Sequence, residues 1–218
     1  MNSDYYILED GEQKGPFTFE ELIEMEPDLH TRVLSPNADG WQDACDLPEL
    51  YDYFLSLGVN FPTEDNLASF WWRLLAYLID YIILSYVLQF ILTILASKGV
   101  TFHIPSYNDL SKLSLNDMLK TRFMADLLKI QLIANVTLVL YNSILEASGW
   151  KGSVGKKICK LIVVDADGMG LSYPNALVRS LGKVFSITIF YVGFLSIFWS
   201  EYRQALHDYL AKSYVIKL

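Results

Sequence analysis

Arg73 and Asp80 stand inside FWWRLLAYLIDYIIL, residues 70–84, an apolar run in which hydrocarbon would penalise each of them. At ~100° and 1.5 Å per residue, their seven-residue separation sets them within about 20° of one helix face and about 10 Å apart along it. Further on, Gln131, Asn135, Asn142 and Glu146 interrupt a second apolar run and share an arc of roughly 60° by the same arithmetic. Such groups have two uses in a membrane: bonding helix to helix, or lining a route for protons and solutes. Asp80 lies about seven residues inside its run on too short a side chain to reach water, so it is expected to be buried with a partner or to carry a proton. Arg73 sits beside Trp71 and Trp72 and has two readings, a bonded group or one that snorkels into an interfacial aromatic belt. The economical arrangement sets the two stripes against each other, because lipid satisfies neither.

Other chemistry finds little support. GWKGSVGKK resembles a phosphate loop, but no Gly stands at the required spacing and Lys157 takes the hydroxyl position, so its lysines are expected to meet lipid headgroups. DADG at 165–168 lacks the later ligands of a calcium loop and reads as a hairpin turn. His30, His103 and His207 are far apart in sequence, and Cys45 and Cys159 form no CxxC, so neither a metal centre nor a disulfide is expected. With no nucleophile elbow and no paired catalytic carboxylates, the expectation is a non-enzyme without a cofactor.

The elements that must position these groups fall into two parts. Residues 1–66 hold sixteen acidic side chains against Lys14 and Arg32, a net of -14, and residues 67–218 carry +6. The acidic part is unsuited to nucleic acid. Within it, YYILEDGEQKGPFTF suggests a hairpin turning at Asp10-Gly11, and a helix follows Thr18 with Glu20 and Glu21 in its first turn. TRVLSP reads as a further strand, and LPELYDYFLSL as a second helix opened by Pro48. The domains are thus 1–57, a linker at 58–66, and a membrane part at 67–218. The first residues lack a basic start and an apolar h-region, so no signal peptide is expected.

In the membrane part, Leu74–Ala96 and Leu127–Ala147 are long enough to cross a ~30 Å core. Val184–Trp199 is sixteen residues with Gly193 inside, short for a crossing, and is expected to enter the membrane without leaving on the far side. KKICKLIVVDADGMGLSYP reads as a β-hairpin, and SYVIKL at the end as a strand that can pair with Leu161–Val164. Lysine and arginine crowd the segments around that hairpin and the tail, so the acidic module, the hairpin and the tail are expected in the cytoplasm. The 98–126 loop then faces outward, with Ser114 and Asp117 as a capping-box-like helix start.

These residues resemble two families. Arg73 in WWRLLAYLID, Asp80 seven residues on, Asp208 in RQALHDYLAKSYVI, and the block GWKGSVGKKICKLIVVDADG with Ser153 are similar to the RDD family of small membrane proteins, for which transport is the usual proposal. YYILEDGEQKGPFTFEEL and GWQDACDLPEL resemble the bacterial GYF-like domain, which implies peptide recognition through an aromatic groove, here Tyr6, Phe17 and Trp41. The literal Gly-Tyr-Phe triplet is missing. The fold expected is a small α+β N-terminal domain followed by an α-helical membrane domain with two spanning helices, a β-hairpin and a third, short, re-entrant segment. The function expected is a multi-pass cytoplasmic-membrane adaptor or assembly factor. Its GYF-like module would bind a proline-rich peptide of a partner protein, and its membrane domain would contact lipid and form homo-oligomers. The alternative is an ion or small-solute transporter using Asp80 and the polar stripe.

Overall fold

The computed structural model describes residues 4–9, 11–102, 122–189 and 192–218. The chain divides into two compact units, Met1–Phe61 with Ala166–Met169, and Pro62–Asp165 with Gly170–Leu218.

In the first unit, β1 (Tyr5–Glu9), β2 (Glu12–Phe17), β3 (Arg32–Leu34) and β4 (Gln42–Asp43) form an antiparallel sheet in the order β2-β1-β3-β4. Helix α1 (Phe19–Glu24) begins where the sequence reading sets it: Thr18 Oγ1 accepts from the Glu21 amide at 3.2 Å, and the Glu21 carboxylate accepts from the Thr18 amide at 2.8 Å. Pro48 opens a short 3₁₀ turn that leads into α2 (Tyr51–Ser56). Leu22, Val33, Leu50 and Phe54 close the core between sheet and helices. Asp10, in the expected turn, lies outside the described residues.

In the second unit, α3 (Phe70–Ser97) and α4 (Arg122–Glu146) have the length and apolar composition to cross a membrane. Leu75, Leu78, Tyr81, Ile82, Tyr86 and Phe90 are exposed around α3, a helix apolar on nearly every side that needs lipid around it. The Ser114–Asp117 capping box lies outside the described residues. After α4 come α5 (Val154–Ile158) and β5 (Leu161–Val164), whose four residues are all buried. The start of KKIC is therefore helical rather than extended.

Strand β5 pairs antiparallel with the chain's last strand, β6 (Tyr214–Lys217), as the tail pattern suggests. The turn at 165–168 is closed by a single bridge between Val164 and Gly170. On the far side of β6, the Ala68 amide donates to Val215 and the Lys217 amide to Asn66, so the end of the expected linker adds itself to this small sheet. Between β5 and β6 run α6 (Tyr173–Thr188), α7 (Val192–Leu195) and α8 (Leu206–Leu210). The third apolar segment is broken: Tyr173–Thr188 and Val192–Phe198 differ in direction by 112°. β5 and β6 hold the two ends of this stretch together. Gly193 permits the fold-back, since a Cβ there would lie 2.3 Å from Ser186 Oγ on α6.

Candidate functional site

Asp80 is buried on α3, and its hydrogen-bond partners among the described residues are all neutral. Tyr141 of α4 donates its hydroxyl to Oδ1 at 2.7 Å, the Gly155 amide donates to the same oxygen at 2.8 Å, and Ser153 Oγ donates to Oδ2 at 2.5 Å. Ser153 is also the N-cap of α5, so the hydroxyl that starts the helix also presents it to the carboxylate. The approach needs glycine at 155: a Cβ there would stand 2.2 Å from the Ala76 carbonyl oxygen. The partner expected for Asp80 is thus not a base: the structure supplies two hydroxyls and an amide.

Glu146 and Asp208 are buried in the opposite way, by charge. Arg179 bridges them, with Nη1 donating to Glu146 at 2.8 Å and Nε to Asp208 at 2.9 Å, and its Nη2 also donates to Asp208. Arg73 Nη1 donates to Asp208 at 2.6 Å, so the arginine is bonded rather than snorkelling. Lys156 and Lys183 each reach Glu146 at 2.6 Å, and Lys183 also donates to Asn142 at 2.7 Å. The Ala205 amide completes Asp208 at 3.0 Å. Four cations thus share two carboxylates, and the network ties α3, α4, α5, α6 and α8 together.

Burial would raise the Asp208 carboxyl, but Arg179 outweighs it and holds the group well below the usual carboxylate range. Burial pushes the Lys156 ammonium down to about 7, with neighbouring Arg179 acting in the same direction. Burial likewise drives His207 down to about 3, so its imidazole is neutral, and its Nδ1 has no hydrogen-bond partner among the described residues.

Sequence reasoning missed Arg179, Lys183 and Lys156, which it counted as loop charges. The signal was present in α6. Ala176, Arg179, Ser180, Lys183 and Ser186 recur at helical spacing and are buried, whereas Leu177, Val178, Leu181 and Phe185 are exposed. A helix with its polar side inward and its apolar side outward is a membrane pattern.

The two stripes do not meet as expected. The lower half of the α4 stripe, Asn142 and Glu146, turns to α6, and α3 meets α4 through Tyr141. α6 brings two cations, Arg179 and Lys183, to Glu146. In the upper half, Gln131 donates to Asn135 at 2.9 Å. These two line a cavity of about 340 Å³ with Ser85, Thr137 and Tyr81. A smaller cavity of about 60 Å³, reaching Asp80, Asn142 and Lys183, shares Tyr77, Tyr81, Leu84, Leu138 and Ile187 with it.

On the first unit's sheet, Tyr6 pairs with Leu34, and Val33 with Gln42. Continuing that register sets Trp41 opposite Leu34, so Tyr6, Leu34 and Trp41 form a row on the face away from Tyr5, Ile7 and Val33, which are buried. Tyr6 and Trp41 are half-buried. Phe17 belongs to the other face: the irregular register between Tyr5 and Ile7 sets it opposite Tyr5, and it packs on the core. The segment before Trp41 is pinned by Glu49, which accepts from Ser35 Oγ at 2.9 Å and Asn37 Nδ2 at 3.0 Å. The Asn37 bond, with that from Ser35, keeps the Glu49 carboxyl below its ordinary range.

Residues 67–212 match the RDD family, and residues 5–50 match GYF domain 2. The chain is 34% identical over 152 residues to Bacillus subtilis (strain 168) YxaI, covering 68% of this chain and 96% of that protein. It is 32% identical over 155 residues to YckC of the same organism, covering 68% of this chain and 83% of that protein. No solved structure matches. Arg73, Asp80 and Asp208, buried in two adjoining polar centres of a unit with long apolar helices, therefore sit in a multi-pass membrane protein that belongs to the RDD family and carries an N-terminal GYF domain 2.

Proposed function

We propose that the protein is a membrane-anchored adaptor. Its GYF-like module binds an extended, proline-containing segment of a partner protein in the cytoplasm, and its RDD unit holds that module at the membrane. The observation that carries this reading is the row Tyr6, Leu34 and Trp41, left half-open on a sheet face. Aromatic rows of this kind receive a polyproline helix at low ordering cost. The completeness of the bonding around Asp80, Glu146 and Asp208 supports an anchoring role for the RDD unit. The net of -14 over residues 1–66 favours a basic segment as the ligand. The test is titration of a proline-rich, lysine-containing peptide into the purified protein, followed by calorimetry and by tryptophan fluorescence compared between wild type and Trp41→Phe. Saturable binding should weaken at least tenfold in Tyr6→Ala and be little changed in Phe17→Leu. Equal affinity in wild type and Tyr6→Ala would remove the adaptor reading.

A second reading, transport of a cation or small solute by an oligomer, is favoured by two neighbouring cavities with five lining residues in common, one reaching Gln131 and Asn135 and the other Asp80 and Lys183. Proteoliposome flux that survives deletion of residues 1–60 and vanishes in Asp80→Asn would move it ahead of the adaptor.

A further inference from the structure

The sheet edge of the first unit gathers three metal-binding side chains that are distant in sequence. The Ala44 amide donates to the Thr31 carbonyl at 2.9 Å and the Cys45 amide to Leu29 at 3.0 Å, so the backbone clamps the residues on both sides of His30 against 44 and 45. Arg32 pairs with Asp43 in the same ladder. The result sets one donor atom each of His30, Asp43 and Cys45 within 4.8 Å of one another.

We propose that His30 Nδ1, Asp43 Oδ2 and Cys45 Sγ form a binding site for a borderline transition-metal ion, Zn²⁺ being the type that suits them. Imidazole, carboxylate and thiolate together select zinc-like ions over Mg²⁺ or Ca²⁺, which prefer all-oxygen shells. One separation already fits, and the remaining donors lie within 4.8 Å. Tetrahedral bonds of about 2.0 to 2.3 Å require donor atoms about 3.3 to 3.6 Å apart, and His30 Nδ1 lies 3.5 Å from Asp43 Oδ2. That distance is long for a hydrogen bond and ordinary for two ligands of one ion. Arg32 Nη1 donates to the other oxygen, Oδ1, at 3.3 Å, which fixes the carboxylate with Oδ2 turned to the histidine. Such an outer partner is how metal ligands are usually oriented. Asp46 Oδ1 accepts from Cys45 Sγ at 4.0 Å, and water supplies the fourth position. On binding, the Cys45 thiol loses its proton to solvent, and His30 binds through the lone pair of Nδ1 with its proton on Nε2. The acidity of the surrounding module raises the local cation concentration.

The experiment uses the full chain in detergent, stripped with chelator and titrated with Co²⁺ as the spectroscopic probe. One equivalent should give a thiolate-to-cobalt charge-transfer band with visible bands of tetrahedral intensity, and Zn²⁺ should displace it. Cys45→Ser should abolish the charge-transfer band, and Cys159→Ser, which removes the other cysteine, should leave it intact. His30 is exposed, so His30→Gln keeps the fold and should weaken Co²⁺ at least tenfold. Absence of the band at one equivalent, its persistence in Cys45→Ser, or unchanged affinity in His30→Gln would each overturn the proposal. Peptide affinity read in parallel separates this outcome from that of the Tyr6 and Trp41 face.

Discussion

Two carboxylate centres lie in the same unit and solve the same problem by different means. Asp80 takes two hydroxyls and one amide, all neutral, and so depends on close approach of backbone. Glu146 and Asp208 take guanidinium and ammonium groups, and so depend on charge. The first centre is governed by shape, and a single added methyl disturbs it. The second is governed by balance, with cations in excess, and burial together with that excess lowers the Lys156 ammonium.

The charged centre should show the largest response. Arg179→Met strips both carboxylates of their shared partner, so unfolding free energy in detergent should fall by about 3–5 kcal/mol, read as a lowered thermal midpoint. Acid should have the next largest effect. His207 is neutral when folded, with its pKa down to about 3, and ordinary when unfolded at ~6.5. Its contribution is therefore complete above pH ~6.5 and is lost as pH falls from there towards 3, with a slope of at most roughly 1.4 kcal/mol per pH unit. His207→Asn should flatten that limb; an unchanged acid limb would assign it to the carboxylates instead.

The centre around Asp80 should respond to volume before charge. Gly155→Ala forces a Cβ against the Ala76 carbonyl, at a cost of about 1–3 kcal/mol. Ser153→Ala removes both the helix cap and a donor to the carboxylate, and should cost about 1–3 kcal/mol. If Ser153→Ala proves neutral while Tyr141→Phe does not, the α4 hydroxyl alone carries that centre.

The two centres were unequally legible. Arg73, Asp80, Asn142 and Glu146 stand out in sequence because apolar neighbours make any polar group conspicuous. Ser153, Gly155 and Arg179 do not, since serines, glycines and basic residues after a span are what an ordinary surface loop contains. Only the return of the chain, sealed by β5 pairing with β6, makes that loop an interior, and a partnership such as Arg73 with Asp208 leaves no local periodic trace. The tail strand was readable from its apolar run, as were β1, α1 and the two spans. Strand β4, two residues long, is too short for alternation to register, and with it went the means to see His30 beside Cys45. The irregular register between Tyr5 and Ile7 sets Phe17 opposite Tyr5, which strict alternation along β2 does not disclose.

The smallest effect is expected where neither solution operates. Gln131 and Asn135 bond each other beside an open cavity, with no bond to either carboxylate centre among the described residues. Replacing both by leucine removes donor and acceptor together and leaves no orphan, so stability should change by less than about 1 kcal/mol. Replacing Asn135 alone strands Gln131 and should cost more than the double change, which makes the pair a check on its own bond. The double variant also divides function from architecture. If proteoliposomes show cation or solute flux that the leucine pair abolishes at unaltered thermal midpoint, the upper stripe lines a route, and the charged centre below it is the frame that holds the route open. If flux is absent in both and peptide binding to the Tyr6 face is retained, the stripe is helix contact alone, and the work of the molecule lies outside the bilayer.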